Sequence, residues 1–421
     1  MNILLRKVIV ADPGAAFNNS VKDILISDGL INRIEDDITV DPGTEVIEAN
    51  GLAVSPGWVD IFSNFGDPGQ EYKETLETGA AAAIAGGYTR VFTLPNTQPV
   101  VQSKTQVEYV VQRSKSLPVN IAPLGAVTKN AEGKELAEMY DMYASGAVAF
   151  SDGINPVQSA GLLLKALQYV KAFDGVVVQV PMDKSIGQHG LINEGIFSTR
   201  LGLPGIPAIA EELMVARDIK LARYADSKLH FTGVTTAKSL EYIKRAKDAG
   251  LQVSCSVTPY HLYFCDEDVA SYDTNLKVNP PLRSKEDREA LREGVLNGWV
   301  DCIAAHHLPQ DWDNKVCEFE YAKNGMIGLQ TTYAVLQSAI PGLSTSAIAN
   351  LLSLNVRSIF NLPDASIRTG NMAELTLFNP SGSTLLTKEN NKSKSLNSPF
   401  LNKSLQGAVA AVITKGNIFK H

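Results

Sequence analysis

Metal binding and proton transfer fall mostly to His, Cys and carboxylate side chains, and this chain of 421 residues has only six His and four Cys. His306 and His307 are adjacent at the end of an apolar run, Asp301 to Ala305. Neighbours on a strand project to opposite faces, so the pair cannot easily ligate one ion together. With Asp152 they supply at most three ligands, whereas a structural zinc takes about four; the simpler expectation is a polar, hydrogen-bonded cluster. His230 lies inside the apolar run Leu229 to Thr232 and reads as a core histidine. His261, in Thr258-Pro259-Tyr260-His261, reads as a satisfied turn residue, with a ligand contact as the alternative. His189 falls in the loop Gly187-Gln188-His189-Gly190, and His421 carries no inference. Ser151-Asp152-Gly153 resembles a turn, and no base with a matching motif accompanies Ser151 to make it a nucleophile. Cys255, Cys265, Cys302 and Cys317 form no CxxC pair and read as reduced core thiols.

The elements that position these residues follow from the pattern of apolar runs. Short β-rich segments fill the first fifty residues: Val8-Ile9-Val10, Asp23 to Ile26, Ile31 to Ile34 and Glu45-Val46-Ile47, separated by turns such as Asp12-Pro13-Gly14 and Asp28-Gly29. Eight apolar runs then alternate with helical stretches: Trp58 to Phe62, Arg90 to Leu94, Asn120 to Leu124, Ala147 to Phe150, Val176 to Val180, Leu229 to Thr232, Gln252 to Ser256 and Asp301 to Ala305. Continuous apolar strands alternating with amphipathic helices predict a parallel sheet covered by helices. Eight units predict a closed (β/α)8 barrel over 53–365. No glycine-rich dinucleotide fingerprint follows an early strand to favour an open doubly wound sheet. The β-rich tail, Glu374 to Phe378 and Gly407 to Ile413, pairs most simply with the first segments, giving a small composite β-sandwich from 1–52 and 366–421. Between Ser383 and Lys403 the chain is rich in Ser, Asn and Lys and reads as an exposed loop.

Composition excludes several classes of function. Hydrophobic residues make up 44% and charged residues 20%, the balance of a globular chain with a large core. Thirty-eight Lys and Arg against 45 Asp and Glu leave a net charge of −7. That mild acidity, with no basic block, argues against nucleic acid and anionic membrane surfaces. No apolar run reaches the roughly 18 residues of a membrane span, and the start lacks a signal peptide's apolar region and cleavage site. A cytoplasmic protein is expected.

At Pro56-Gly57-Trp58-Val59-Asp60 the sequence resembles the amidohydrolase superfamily, and within it the longer-type dihydroorotases. Supporting stretches are Asp67 to Glu71 with Lys73-Glu74-Thr75, Leu94 to Thr97, Gly146 to Asp152, Asn193-Glu194-Gly195, Leu203 to Pro207, Val257 to Leu262 and Asn279 to Arg283. Each is weak alone; together they are specific and cover almost the whole chain. The resemblance implies a zinc-dependent hydrolase that opens or closes the ring of dihydroorotate in pyrimidine synthesis. The metal supplies hydroxide near neutral pH and polarises the amide carbonyl.

The residues that should hold that zinc are replaced. The family's paired histidines after the first strand fall on Phe62 and Asn64. Its histidine after the fifth strand falls on Gln179, the one in the sixth on Gly233, and the catalytic Asp ending the eighth on His306. His307 keeps a family histidine, whereas a further histidine that touches substrate falls on Gln310 and a substrate arginine on Gly66. Asp152 matches the remnant of two adjacent family acids, the other being Gly153. Asn96 and Asn279 match residues that contact substrate, although holding loop backbone is the favoured role for both.

A dihydroorotase fold with an emptied site is therefore expected: no catalytic residue and no metal, with Asn96, Asp152, Asn279 and His307 as pocket remnants. The family resemblance also suggests an oligomer and a structural partnership with aspartate carbamoyltransferase. Two other readings stand beside it: an active cyclic amidohydrolase with unusual or no metal ligation, and a small-molecule sensor using the vacated pocket.

Overall fold

The computed structural model describes residues 2–421. Eight parallel strands form one sheet in chain order: Trp58–Ser63, Tyr88–Thr93, Asn120–Gly125, Ala149–Phe150, Val176–Gln179, Lys228–Thr232, Val253–Val257 and Cys302–Ile303. The last meets the first through a parallel bridge between Ser63 and His307. There the Asn64 N–H donates to the His307 carbonyl at 2.8 Å, so the sheet closes on itself as a barrel. The Asp60 carboxylate locks this seam. Its Oδ1 accepts from the Ala305 N–H at 2.7 Å, and its Oδ2 accepts from the Ser63 hydroxyl at 2.6 Å and the Phe62 N–H at 3.1 Å.

Alternation along the strands separates two cores. Val177, Leu229, Phe231, Cys255 and Ile303 pack outward under the helices, while Val59, Ile61, Phe92, Val176, Val178 and Cys302 fill the barrel interior. Four of the covering helices start where the sequence provides a hydroxyl cap. Thr75 caps Leu76–Ala85, Ser159 caps Ala160–Lys171, Thr236 caps Ala237–Asp248 and Ser284 caps Lys285–Leu296, each hydroxyl accepting an otherwise orphaned backbone N–H.

Both ends of the chain build the second layer. Its eight strands hydrogen-bond into one continuous sheet that encloses a separate core around Ile24, Ile26, Leu375 and Ile413. The first strand, Asn2–Val10, changes partner midway. A register break between Leu5 and Val8 lets Ile3 to Arg6 pair with Glu45–Glu48, while Ile9 and Val10 pair with Ala53–Pro56. Ala53–Pro56 also pairs with Leu375 to Phe378. These residues therefore belong to the sheet, and the barrel opens at Gly57, a few residues beyond the boundary expected at 53.

Glu374 pins the two layers together. It accepts from Arg90 at 2.9 and 3.0 Å, from Arg357 at 2.7 Å and from the Thr89 hydroxyl at 2.7 Å. Burial opposes its ionisation, but Arg357 and Arg90 outweigh burial and hold the carboxyl at about 2.

The segment read as an exposed loop, Ser383 to Lys403, is exposed only in part, as at Lys388, Glu389 and Asn390. Its ends extend the long strands Leu375–Leu385 and Ser404–Thr414, and Ser393, Ser395, Asn397, Ser398 and Phe400 are buried. Its polar residues bond backbone carbonyls and the Glu74 carboxylate. Asn397 Nδ2 donates to the carbonyls of Leu308 and Gly325 at 3.1 and 3.0 Å. An irregular buried segment must find partners for its own and its neighbours' backbone groups, and Ser and Asn supply them.

Candidate functional site at the barrel mouth

Three of the replaced positions meet in the barrel interior. Phe62 stacks on the His306 ring with centroids 4.2 Å apart and planes 26° from parallel. Gly233 lies under the same ring: a Cβ there would fall 2.7 Å from His306 Cε1, and its φ of +69° is a conformation that side-chain-bearing residues rarely adopt. His306 itself has a φ of +43°, a left-handed backbone that turns its ring inward. All three are buried, and the centre of the barrel is filled by packed rings.

Below the stack runs a chain of neutral hydrogen bonds. His306 Nε2 lies 2.8 Å from Thr232 Oγ1, the Ser256 hydroxyl donates to Thr232 at 2.9 Å, and His230 joins Ser256 and Ser254 at 3.1 and 2.8 Å. Burial drives the His306 pKa far below the ordinary histidine range, and neighbouring His261 and His230 push the same way. Burial also takes His230 to about 3. His306 Nδ1 has no hydrogen-bond partner. His261 spans Thr258 Oγ1 at 2.8 Å and the Pro280 carbonyl at 3.1 Å and holds the turn between them.

Other positions lie apart from this centre. Gln179 is in register with Phe231, which packs under the helices, and its amide bonds the Val157 backbone and Asp218. It faces the helical layer and not the barrel axis. Asp152 commits both oxygens to Thr128, one to the N–H at 2.9 Å and one to the hydroxyl; burial raises its pKa to about 6. Asn96 secures the same loop, donating to the Asp152 carbonyl at 3.0 Å and accepting from the Ile154 N–H at 3.0 Å. At Gly153 an added Cβ would fall 1.8 Å from Asn96 Oδ1, so the second acid of the family pattern has no room. His307 points away from His306. Its Nδ1 accepts from the Gly328 N–H at 3.1 Å, which leaves Nε2 to donate to Glu74 at 3.3 Å.

Three buried charges escaped sequence reasoning although they sit in the quoted motifs: Asp60 at the seam, Glu74 and Arg283. Glu74 takes hydrogen bonds from Thr78, Ser393 and the Lys394 N–H as well as His307. Arg283 donates to Asn193 at 3.0 Å, to the Ile206 carbonyl at 2.7 Å and to Thr235 at 3.2 Å. The stretches Asn193-Glu194-Gly195, Leu203 to Pro207 and Asn279 to Arg283 thus converge on one guanidinium. Their signal was a charged residue inside an otherwise structural motif.

Above the filled centre the mouth stays open. A cavity of about 510 Å³ is lined by Asn64, Lys73, Asn96, Lys184, Asn279 and Gln310, among others. A second, of about 540 Å³, adjoins it and shares Lys184, Asn279 and Asn324. None of Phe62, Gln179, Gly233 and His306 lines either.

These residues do not fit a catalytic zinc. The positions expected to ligate hold an aromatic stack, a glycine closed off by it, and an amide turned to the helices. Among the described residues no three His, Cys, Asp or Glu side chains gather as a set able to hold a metal ion. Asp60 and Glu74 each accept several hydrogen bonds, and burial drives the His306 pKa far below the ordinary histidine range.

Comparison with known proteins agrees with the architecture. The L-hydantoinase (dihydropyrimidinase) of Arthrobacter aurescens superposes with a TM-score of 0.86 at 21% identity, over 100% of this chain and 96% of that one. A D-hydantoinase superposes at 0.83 with 19% identity, over 99% and 95%. The fold is that of the amidohydrolase barrel. Sequence narrows it further. Residues 51–239 match the dihydro-orotase-like family. The chain is 38% identical to a dihydroorotase of Syntrophus aciditrophicus over 422 residues, 99% of each. It is 40% identical to one of Caldanaerobacter subterraneus subsp. tengcongensis over 423 residues, 99% of this chain and 97% of that one. The chain belongs to the dihydroorotase family. Among the described residues no helix is long and apolar enough to cross a membrane.

Proposed function

We propose that this chain is a dihydroorotase homologue that no longer converts dihydroorotate and serves pyrimidine synthesis as a structural partner of aspartate carbamoyltransferase. The observation that carries the loss of chemistry is the Phe62–His306 stack over Gly233. Amide hydrolysis at neutral pH needs an activated water and a proton shuttle, and the space for both is occupied by rings. The partnership rests on what persists around it. Arg283, Asn193 and Asp60 still organise the mouth and the seam with buried hydrogen bonds, a framework that selection for shape can maintain after selection for turnover has ended.

The test has two arms. Purified protein is assayed for bound zinc and for interconversion of dihydroorotate and carbamoyl aspartate, with and without chelator. It is then co-expressed with the aspartate carbamoyltransferase of its own organism, and the mass of the product is measured by light scattering. Absence of turnover and co-elution at a combined mass are expected. Chelator-sensitive turnover would establish the alternative, an active amidohydrolase with unusual ligation; separate elution at unchanged size and activity would end the partner reading. The open mouth cavity favours one second reading, a sensor that binds a small molecule without converting it.

A further inference from the structure

A separate cavity lies between the barrel and the sheet built from the chain ends, and it shares no lining residue with the two at the mouth. Its volume of about 470 Å³ falls within the range of small-molecule sites, about 300–1,000 Å³. The end of helix Leu76–Ala85 and the start of helix Thr332–Ala339 form one wall. Strands Leu375–Leu385, Ser404–Thr414 and Asn417–Lys420 form the other. The strands themselves open the space. Asn379 pairs with Ala408 and Ser383 with Gln406, so Pro380 to Gly382 bulge opposite the single residue Gly407. Gly407 has a φ of +88°, and a Cβ there would fall 3.0 Å from Tyr333 Cε1. The strand carries no side chain at the point where the Tyr333 ring lies against it.

Three features of the lining define a ligand. Ala85, Ala334, Leu385 and Val409 supply apolar surface. Tyr333 is 2% exposed, yet its hydroxyl has no hydrogen-bond partner. Burial raises the Tyr333 pKa, so the hydroxyl keeps its proton and can donate; leaving such a buried donor unpaired is costly. The third feature is charge. No Asp or Glu side chain lines the cavity. Of its basic side chains, Lys420 is paired with Glu45. The His421 ring donates from Nε2 to the Ile84 carbonyl at 2.9 Å, and burial lowers its pKa and keeps it neutral. Lys392 is different: it is exposed, and among the described residues its ammonium has no ion-pair or hydrogen-bond partner. Its backbone is held in place by Gln330, whose side chain bonds the Lys392 N–H and the Asn390 carbonyl, both at 3.0 Å. The lining side chains therefore present one uncompensated positive charge.

We infer that this interlayer cavity binds a small monocarboxylate with a compact apolar body and a second oxygen that accepts a hydrogen bond. Lys392 takes the carboxylate, the apolar wall takes the body, and the Tyr333 hydroxyl donates to the second oxygen. One unpaired ammonium matches one negative charge, which favours a carboxylate over a phosphate dianion. A ligand so placed touches the barrel and the sheet of the chain ends at once, and it stabilises their docking by mass action. None of these residues belongs to the barrel centre, so the site is independent of whether that centre turns over substrate.

The full-length protein is titrated calorimetrically with three probes. 4-Methoxybenzoate has the charge and the acceptor, 4-ethylbenzoate lacks the acceptor, and 4-methoxybenzyl alcohol lacks the charge. Saturable binding is expected for the first, weaker binding for the second and the weakest for the third. Tyr333→Phe removes an unpartnered hydroxyl and keeps the ring, so it does not threaten folding. It should weaken binding of 4-methoxybenzoate about fivefold and leave 4-ethylbenzoate unchanged. Lys392→Ala, at an exposed position, should weaken both benzoates about fivefold or more and leave the alcohol unchanged. Lys184→Ala, at the mouth, should alter none of the three. The site is wrong if 4-methoxybenzoate shows no saturable binding, if the alcohol binds as tightly, or if binding ignores either Tyr333→Phe or Lys392→Ala. An equal loss for both benzoates in Tyr333→Phe also overturns it, because that pattern reports a changed cavity shape and not a lost hydrogen bond. Binding lost in Lys184→Ala would place the probe at the mouth and overturn it as well.

Discussion

Replacing Phe62 by alanine tests whether the centre of the barrel is a packed core or an open site. The ring is 1% exposed and lies among Val59, Ile61, Phe92 and Val178, with one face on His306. An aromatic side chain buries about 150–250 Å², which at about 25 cal/mol per Å² corresponds to ~4–6 kcal/mol. That sum uses an extended unfolded chain and is an upper bound; measured Phe→Ala losses in cores are about 3–5 kcal/mol. The loss of the ring contact with His306 is contained in that range. Equilibrium urea unfolding should therefore show Phe62→Ala destabilised by about 3–5 kcal/mol, with Phe62→Leu, which keeps most of the volume, losing about 1–1.5 kcal/mol. Residues of a working site behave otherwise, since function is commonly held at a cost in stability. A loss below about 1 kcal/mol, or a gain, would refute the packed-centre argument and reopen the case for a ligand in that space.

Four other outcomes follow from the same structure. Rebuilding the family pattern with Phe62→His, Asn64→His, Gln179→His and His306→Asp should yield no stoichiometric zinc by elemental analysis, because residue 179 faces the helices. Asp152, raised from 3.8 to about 6, favours the fold while protonated. Its contribution, of order 3 kcal/mol, is complete below about pH 4 and fades as pH rises through about 6; Asp152→Asn should flatten the fall in stability over that window in pH-dependent unfolding. Glu374→Gln leaves Arg357 and Arg90 without their carboxylate and should cost about 3–5 kcal/mol in the same assay. Glu74→Gln should loosen the segment that Ser393 and Lys394 tie down, seen as new cleavage between Leu386 and Lys403 in limited proteolysis.

The barrel was legible because its strands are continuous apolar runs alternating with helical stretches, and that signal is local. The ownership of Ala53–Pro56 was not, since an apolar tetrapeptide suits a sheet or a barrel equally and only its partner at Leu375 to Phe378 decides. The same holds for Ser393 to Phe400, whose polar composition is that of a solvated loop until the carbonyls of Leu308 and Gly325 are brought to it. At the site, residue types exposed the replacements at Phe62, Gly233 and His306, but not that they would touch. Direction was hidden as well. Gln179 reads as one of the set, and only strand register shows it on the other face.

The partner change in the first strand also orders events during synthesis. Trp58 bonds Thr376 across 318 residues, and Ala53–Pro56 lies between the first strand and Leu375–Leu385. At 5–20 residues per second the ribosome takes roughly 15–65 s to deliver the second half of that sheet after the first. Throughout that interval Ile24, Ile26 and Val54 lack the Leu375, Leu377 and Ile413 side chains that complete their core, and one edge of the early strands stays unpaired. Such an edge invites pairing with other chains. The sheet and its core are therefore complete only once the tail has been delivered.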